Sequence, residues 1–526
     1  MKKSISLLMV LLLITIVLIS CNSNETSDDK NGSDASAYSD DASGNVSEEP
    51  VDPKDGLTEK ISEYSGRTLT IFTAGAGTTY HSELIPMEEN PLHNETAVMP
   101  DRINEAIASR NKRIAEEYNI TIKEIYQPDS DRPGGGGLKA IRNAFSQGDD
   151  SFQAINAGLY DMGTLLLEGS LYDLNRLENI KLNNPWWDQS VNDNVTINYK
   201  QYFAVGDIGI GNKNATTAIF FNKSLMEKMN LDNPYTLVKN KEWTLDKALE
   251  LCKKSQFTED INNDGKIDYT DNFCWGGQND NIYAWFYGTG NRVLSPDSNG
   301  YPTLTFYTER AAETIDKTLA IMNDDDIFVS GNDYFNVSST PMTLIQDAFI
   351  NGRAIFYTNT ISNAMELSDM KDEFGILPVP LYDKDQDEYY SLINTWISGA
   401  YGIAKNVSEE DAEFAAAVLD YLGYYSWKGL GTGYLATEYY EVVLKYQGLE
   451  GKEEALETLD MIFGARGCEL GSILRIGNSG GLTANKILTN LITANGSGQF
   501  SSKYQEAESV LKADLDNALS FFKNKQ

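Results

Sequence analysis

The run of strand, helix, strand, helix, strand between Thr68 and Ala157 limits the fold more than any other feature of the sequence. Thr68–Thr73 (TLTIFT) alternates as a strand does. Pro100–Tyr118 places Ile103, Ala106, Ile107, Ile114 and Ala115 at helical spacing. Ile120–Tyr126 alternates again, Asp131–Gly137 (DRPGGGG) reads as a mobile loop, and Leu138–Phe145 reads as a helix stopped at Gly148. Phe152–Ala157 has the composition of a buried strand. Strands alternating with helices in this way imply a parallel α/β sheet with right-handed crossovers. The chain has 526 residues, too many for one core, so two lobes are expected.

A second set of elements follows Asn184-Pro185-Trp186-Trp187-Asp188. Tyr202–Val205, Thr216–Asn222, Arg353–Tyr357 and Trp396–Ala404 read as strands. Trp243–Lys254, Thr308–Met322 and Leu344–Asn351 read as helices, the first with Thr244 as N-cap. Prolines make Gly375–Tyr382 extended. Ser408-Glu409-Glu410-Asp411 fits a capping box before the helix Ala412–Leu422. From 440 to 526 the pattern is mostly helical, broken at Gly477–Gly481.

The N-terminus has different chemistry. A basic start, Met1-Lys2-Lys3, precedes an almost wholly apolar run to Ile19, shorter than the ~20 residues of a comfortable membrane span. The run reads as a signal peptide over residues 1–20. Its end, Leu18-Ile19-Ser20-Cys21, resembles the lipobox of bacterial lipoprotein precursors. The resemblance implies cleavage before Cys21, lipidation of that residue and attachment to the outer face of a membrane. An ordinary signal peptide with a chance cysteine, or an uncleaved anchor, is the alternative. Residues 21–66 carry twelve acidic residues against Lys30, Lys54 and Lys60, with little apolar surface to bury. They read as a disordered stalk reaching about 35–40 Å.

A net charge of −34 argues against nucleic acid and against an anionic membrane surface as partners. Four cysteines, Cys21, Cys252, Cys274 and Cys468, do not make a disulfide scaffold. Cys252 and Cys274 either bridge or remain free thiols. Only His81 and His93 are present, so a His-based triad or metal site has little to work with.

Eight segments, in this order, carry a family resemblance: Arg110–Ile122 (RNKRIAEEYNITI), Ala157–Leu174, Asn184–Asp188 (NPWWD), Ile219–Leu231 (IFFNKSLMEKMNL), Glu242–Leu251, Phe349–Tyr357 (FINGRAIFY), Phe374–Asp383 (FGILPVPLYD) and Ser398–Leu422. Together they resemble the carbohydrate-binding, maltose-binding-like solute-binding lipoproteins of bacterial ABC transporters. The resemblance implies the two-lobed periplasmic-binding-protein fold (type II), with ligand held in a cleft between lobes joined by hinge strands. Lobe 1 is then 67–205 with 398–440, and lobe 2 is 206–397 with 441–526. Tyr202–Gly211 becomes a hinge whose Gly206, Gly209 and Gly211 suit a segment that changes φ and ψ. The implied function is capture of a carbohydrate, an oligosaccharide above all, and delivery to a membrane permease by a monomer on the extracellular face of a Gram-positive type cell. No catalysis is expected. A surface sensor or adhesin on the same fold is the alternative, with a secreted glycosidase behind it.

Sugars need aromatic platforms for their C–H faces and planar polar groups for their hydroxyls. The chain has 29 tyrosines, which suit such a ligand or serve ordinary packing. Open α/β sheets bind ligands beyond strand carboxyl ends. The candidates there are Tyr80, Asp161 with its neighbour Tyr160, Trp275, Trp285 and Tyr287 in Cys274–Gly290, Asn359, and Trp396. Trp186, Trp187 and Trp243 are expected to be structural.

Asp260–Asp271 (DINNDGKIDYTD) matches a twelve-residue calcium loop, with a hydrated acidic turn as the alternative. Asp260, Asn262, Asp264, Asp268 and Asp271 supply oxygens at positions 1, 3, 5, 9 and 12. Lys266 offers its carbonyl at position 7, and Gly265 makes the turn at position 6. Aspartate at position 12 resembles the loops of dockerins, but only one copy is present, so a structural clip on lobe 2 is expected rather than cohesin binding.

Overall fold

A computed structural model of the chain describes residues 53–75, 83–89, 100–128, 133–427, 434–444 and 453–524. The signal peptide, Cys21, Tyr80, both histidines and the stalk up to residue 52 lie outside the described residues. Among the described residues no helix is long and apolar enough to cross a membrane.

The strands, in chain order, are β1 (Thr68–Gly75), β2 (Thr121–Pro128), β3 (Ala154–Gly158), β4 (Phe203–Ala204), β5 (Thr217–Asn222), β6 (Phe273–Gly277), β7 (Leu294–Pro296), β8 (Pro302–Leu304), β9 (Phe328–Ser330), β10 (Ala354–Thr360), β11 (Phe374–Leu377), β12 (Ser391–Leu392), β13 (Gly399–Ile403) and β14 (Arg466–Gly467). The first sheet has the order β2-β1-β3-β13-β4. β1 lies parallel to β2 and β3, as the alternation of helices and strands requires. β13 returns from far along the chain and pairs antiparallel with β3 and β4. The second sheet has the order β11-β5-β10-β6-β9. There β6 runs parallel to β10 and β9, while β5 pairs antiparallel with β10 and β11.

Local signals in the sequence account for many boundaries. The helix Asp101–Tyr118 buries Ile103, Ala106, Ile107 and Ile114 on one face and ends at Asn119 with φ +54°. Thr244 accepts from the Lys247 amide at 3.2 Å, and Ser408 accepts from the Asp411 amide at 3.1 Å. The Pro-Trp-Trp-Asp segment closes around Asp420 on the helix Glu409–Ser426. Both indoles donate to Asp420 Oδ1, Trp186 at 2.6 Å and Trp187 at 2.7 Å, while Asn184 reaches Oδ2. Burial pushes the Asp420 carboxyl up to about 6, against the pull of these donors.

Three expectations need correction, and the glycines of the expected hinge have a packing role besides. The stalk does not extend to residue 66, because Pro53–Tyr64 forms two short 3-10 turns on lobe 1. Leu57 and Ile61 are buried, Thr58 donates to Asn179, and the Tyr64 ring meets Phe414. The loop of glycines is not irregular to its end, since helix Gly136–Gln147 already contains Gly136 and Gly137. The glycines of the 206–211 crossing do not have positive φ. A Cβ at Gly206 would lie 2.6 Å from the Trp186 carbonyl, and one at Gly209 would lie 2.5 Å from Glu83 Oε2. Close packing therefore explains these two glycines.

The tail, finally, does not belong to lobe 2 alone. Its helix Leu470–Ile473 packs on Leu159–Glu168 of the first lobe, so closely that a Cβ on Gly163 would collide with the Ile473 carbonyl. Its helix Ala484–Thr493 packs on Asn281–Gly288 of the second. Cys252 and Cys274 form a disulfide, with Cα atoms 5.5 Å apart, and Cys468 is free and buried.

Candidate functional site

β3 ends at Gly158 and feeds straight into the helix Leu159–Glu168, so Tyr160 and Asp161 stand at a strand carboxyl end. They have different fates. Asp161 is wholly buried, and its Oδ1 accepts from the Gly134 amide at 2.9 Å. It fastens the loop before Gly136–Gln147 to the lobe. Tyr160 turns instead toward Trp396, with ring centroids 6.5 Å apart in an edge-to-face arrangement.

Trp396 is 43 % exposed, the only tryptophan among the large exposed hydrophobics of the described residues. It sits where the chain passes from the second lobe to β13. Asn394 Oδ1 accepts from the Trp396 amide at 2.9 Å, and the Asn394 amide donates to the Ala215 carbonyl. The Ser398 carbonyl in turn accepts from the Leu159 amide at 3.0 Å, at the start of the Tyr160 helix. The crossing thus joins both lobes and presents one indole to solvent.

Two charged groups act on Tyr160. Burial and the Asp280 carboxylate push the Tyr160 phenol up to about 12, with the Arg475 guanidinium acting against them. The phenol is therefore a hydrogen-bond donor at any physiological pH. Asp280 precedes the helix Asn281–Gly288, and Asn485 donates to its Oδ1 at 3.1 Å. Arg475 has φ +55° and donates to Asn478 Oδ1 at 2.8 Å. Next to it opens a cavity of about 660 Å³, with Thr164 of the Tyr160 helix on one wall and Arg475 and Asn478 on another. Tyr160 thus has an aromatic neighbour in Trp396 and feels a carboxylate, Asp280, and a guanidinium, Arg475, from the second lobe and the tail. This is the chemistry an uncharged, hydroxyl-rich ligand requires.

The remaining candidates are placed elsewhere. Trp275 is enclosed, stacked on Phe356 at 4.7 Å and Trp243 at 6.2 Å, and its Nε1 donates to Thr358. Trp285 is enclosed against Trp275, and Tyr287 bonds Asn194 beneath the Arg292 guanidinium. Trp275 and Trp285 belong to the core of lobe 2, and Tyr287 is buried where that lobe meets Asn194 of lobe 1, which corrects the expectation that the three offer ring faces to a ligand. Asn359 is half-buried and bonds Tyr357 and the Thr360 amide within its own strand. Asp280, Arg475 and Asn485 had not been expected. Asp280 stands in the Cys274–Gly290 run, where nothing in the sequence separates it from the aromatics around it. The tail residues carried no pattern that ties them to a strand end.

The acidic loop is closed on its own amides. Asp260 accepts from the Asp264 and Gly265 amides, Asp264 from Lys266, Asp268 from Thr270, and Asp271 from Ile261 and Asp268. Gly265 has φ +84°, as the sixth position of a calcium loop needs. The backbone frame fits the ion, but the side chains as placed do not converge. Among the described residues no three His, Cys, Asp or Glu groups are arranged to hold one metal.

A family model for bacterial extracellular solute-binding proteins matches residues 101–423. No match was found among curated protein sequences. Among solved structures, a cyclic α-maltosyl-1,6-maltose binding protein from Arthrobacter globiformis superposes with TM-score 0.54 at 14 % identity, over 86 % of this chain and 99 % of that one. The maltose-binding protein MalE from Listeria monocytogenes, in complex with maltose, gives 0.52 at 15 % identity, over 86 % and 98 %. The substrate-binding protein Lmo0181 from the same organism, in complex with cycloalternan, gives 0.51 at 12 % identity, over 87 % and 100 %. At such identities the likeness establishes the two-lobed fold, and the family match, over more than half of the chain, establishes membership. The chain belongs to the bacterial extracellular solute-binding proteins, with the two-lobed α/β fold of the MalE-like members.

Proposed function

We propose that the protein captures a carbohydrate, an oligosaccharide in particular, at the Trp396–Tyr160 corner between its lobes and hands it to an ABC-transporter permease. The observation that carries this reading is the exposed indole at the lobe crossing, edge-to-face with Tyr160, whose phenol feels the charges of Asp280 and Arg475. Trp396 supplies a face for sugar C–H groups. Asp280, Arg475 and Asn485 supply acceptors and donors for hydroxyls. The three related structures are described with maltose, cycloalternan or a cyclic maltosyl-maltose as ligand, which supports the same class here. The cycle is binding without chemistry, with ligand shifting the balance between open and closed lobes. Lipidation of Cys21 would keep the receptor on the extracellular face of the membrane that holds the permease.

The test is a thermal-shift and calorimetric screen of the full chain against oligosaccharides. A true ligand at 100 times its dissociation constant adds about 2.7 kcal/mol of stability. Absence of a shift with every saccharide would sink the carbohydrate reading.

Calcium binding by Asp260–Asp271 is a separate proposal, supported by the loop's residue spacing and its backbone frame. A cation would draw the carboxylates of Asp260, Asp264, Asp268 and Asp271 inward, with Asn262 and the Lys266 carbonyl completing the shell. A chelator is then expected to lower the melting temperature, and Asp260→Ala to remove that sensitivity. Identical melts with and without chelator would refute the site.

A further inference from the structure

A glycine stands in the middle of the helix Leu159–Glu168, at Gly163, without the positive φ that glycine alone adopts freely. Glycine is a poor helix former, so its place there needs a packing reason. The tail supplies it. A Cβ at 163 would collide with the Ile473 carbonyl and stand 2.9 Å from Ile473 Cγ2. The helix Leu470–Ile473 therefore reaches the backbone of lobe 1 only because position 163 has no side chain. Both helices lead to the same corner. Tyr160 lies three residues before Gly163, and Arg475, which acts on the Tyr160 phenol, lies two residues after Ile473.

The tail helix is fastened to one lobe and only laid against the other. Glu469, at its head, is buried. Its Oε1 accepts from the Val293 and Leu294 amides at 3.0 and 3.1 Å. Its Oε2 accepts from the Tyr283 hydroxyl at 3.2 Å and from the Ser472 amide at 3.3 Å. Val293, Leu294 and Tyr283 all belong to lobe 2, as does Asp280, to which Asn485 donates farther along the tail. Just before Glu469 the tail is bonded to both lobes. β14 pairs with β12 of lobe 2, while on lobe 1 Ser190 donates to the Arg466 carbonyl and Asn194 Oδ1 accepts from the Cys468 amide. Among the described residues, the hydrogen bonds of 469–493 run within the tail or to lobe 2. Directional bonds hold two surfaces in one arrangement, whereas a packed face without them can part and meet again. Residues 466–468 thus have the bonding of a fulcrum, and the helix beyond them that of a part carried by lobe 2.

We propose that the helix Leu470–Ile473 is a closing surface carried by lobe 2, and that Gly163 is its seat on lobe 1, the position whose size sets how far the lobes close. A side chain at 163 holds the tail helix, and Arg475 with it, away from Tyr160. A ligand held between the lobes is then bound less tightly, a consequence that rests on the carbohydrate reading above.

The experiment is hydrogen exchange on the full chain without ligand. Gly163→Ala should speed exchange several-fold at 159–168 and 469–478. It should leave 281–296 as protected as before, because Glu469 still holds the tail to Tyr283, Val293 and Leu294. A general loss of stability would speed all three segments, and that outcome overturns the proposal, as does exchange unchanged in all three. The native chain decides the matter should Gly163→Ala not fold. In graded denaturant, 469–478 should exchange through an opening that leaves 281–288 closed, and a single joint opening overturns the proposal. Maltotriose, titrated by calorimetry, tests the consequence for ligand. Gly163→Ala should weaken its binding about threefold or more through a smaller closed fraction, and Gly163→Leu should weaken it further. Equal affinity in the native and substituted chains overturns the link between the seat and the ligand. Absence of binding by the native chain tells against the carbohydrate reading alone, because the exchange result needs no ligand.

Discussion

Two stretches of this chain invite an aromatic binding-site reading, and the fold separates them. Cys274–Gly290 concentrates Trp275, Trp285 and Tyr287, all enclosed by protein. Thr395–Ser398 holds one aromatic residue, and it is the indole that reaches solvent. The difference lies in neighbours rather than composition. β6 is a central strand, flanked by β10 and β9, and helices cover the sheet, so each ring on it is stacked by another. Trp396 belongs to a crossing segment outside the strands, where among the described residues its aromatic neighbour is Tyr160, at its edge, and the indole stays partly exposed. In this chain the dense aromatic run is core, and the solitary aromatic at the crossing is the one that meets solvent.

The contrast can be broken by mutation. The largest effect is expected from Trp275→Ala, which empties a stacked core position and should cost about 3–5 kcal/mol in unfolding free energy, read by denaturant titration. The surviving folded fraction should bind saccharide normally. A Trp275→Ala protein of unchanged stability but weakened binding would place the platform in the run after all. Trp396→Ala should do the reverse. It should lose about 1–3 kcal/mol of saccharide affinity by calorimetry, with little change in melting temperature. A smaller and subtler effect is expected at Asp420. Its carboxyl is held near 6, above the ordinary 3.8, so the folded chain binds this proton more tightly than the unfolded chain does. Stability should therefore fall as pH rises from about 4 to 6. Asp420→Asn should flatten that slope, because an amide does not titrate, and a slope unchanged by the substitution would count against this origin.

Much of the architecture could be read from the sequence, because it is encoded locally. The alternation through β1, β2 and β3 fixed the parallel half of the first sheet, and side chains such as Thr244 and Ser408 announced helix starts. The misses are non-local. Leu57 and Ile61 look like isolated apolar residues in an acidic stretch until the helix Glu409–Ser426 is placed beneath them. Whether Trp275 is a platform or a brick depends on Trp243, Phe356 and Thr358, all distant along the chain. Asp280 and Arg475 both act on Tyr160 only because the tail returns against both lobes, an outcome fixed by packing rather than by any short motif.

The segment Pro53–Tyr64 ties the start of the described chain to one lobe alone. It fastens to Glu178, Asn179 and Asn184 and to Phe414 and Tyr421, each on lobe 1. A force applied to the N-terminus is therefore taken up by that lobe before it can reach the cleft. If the chain is tethered at its start, lobe 1 acts as the stator and lobe 2 as the arm. The tether then neither strains the closing motion nor has to be released for it.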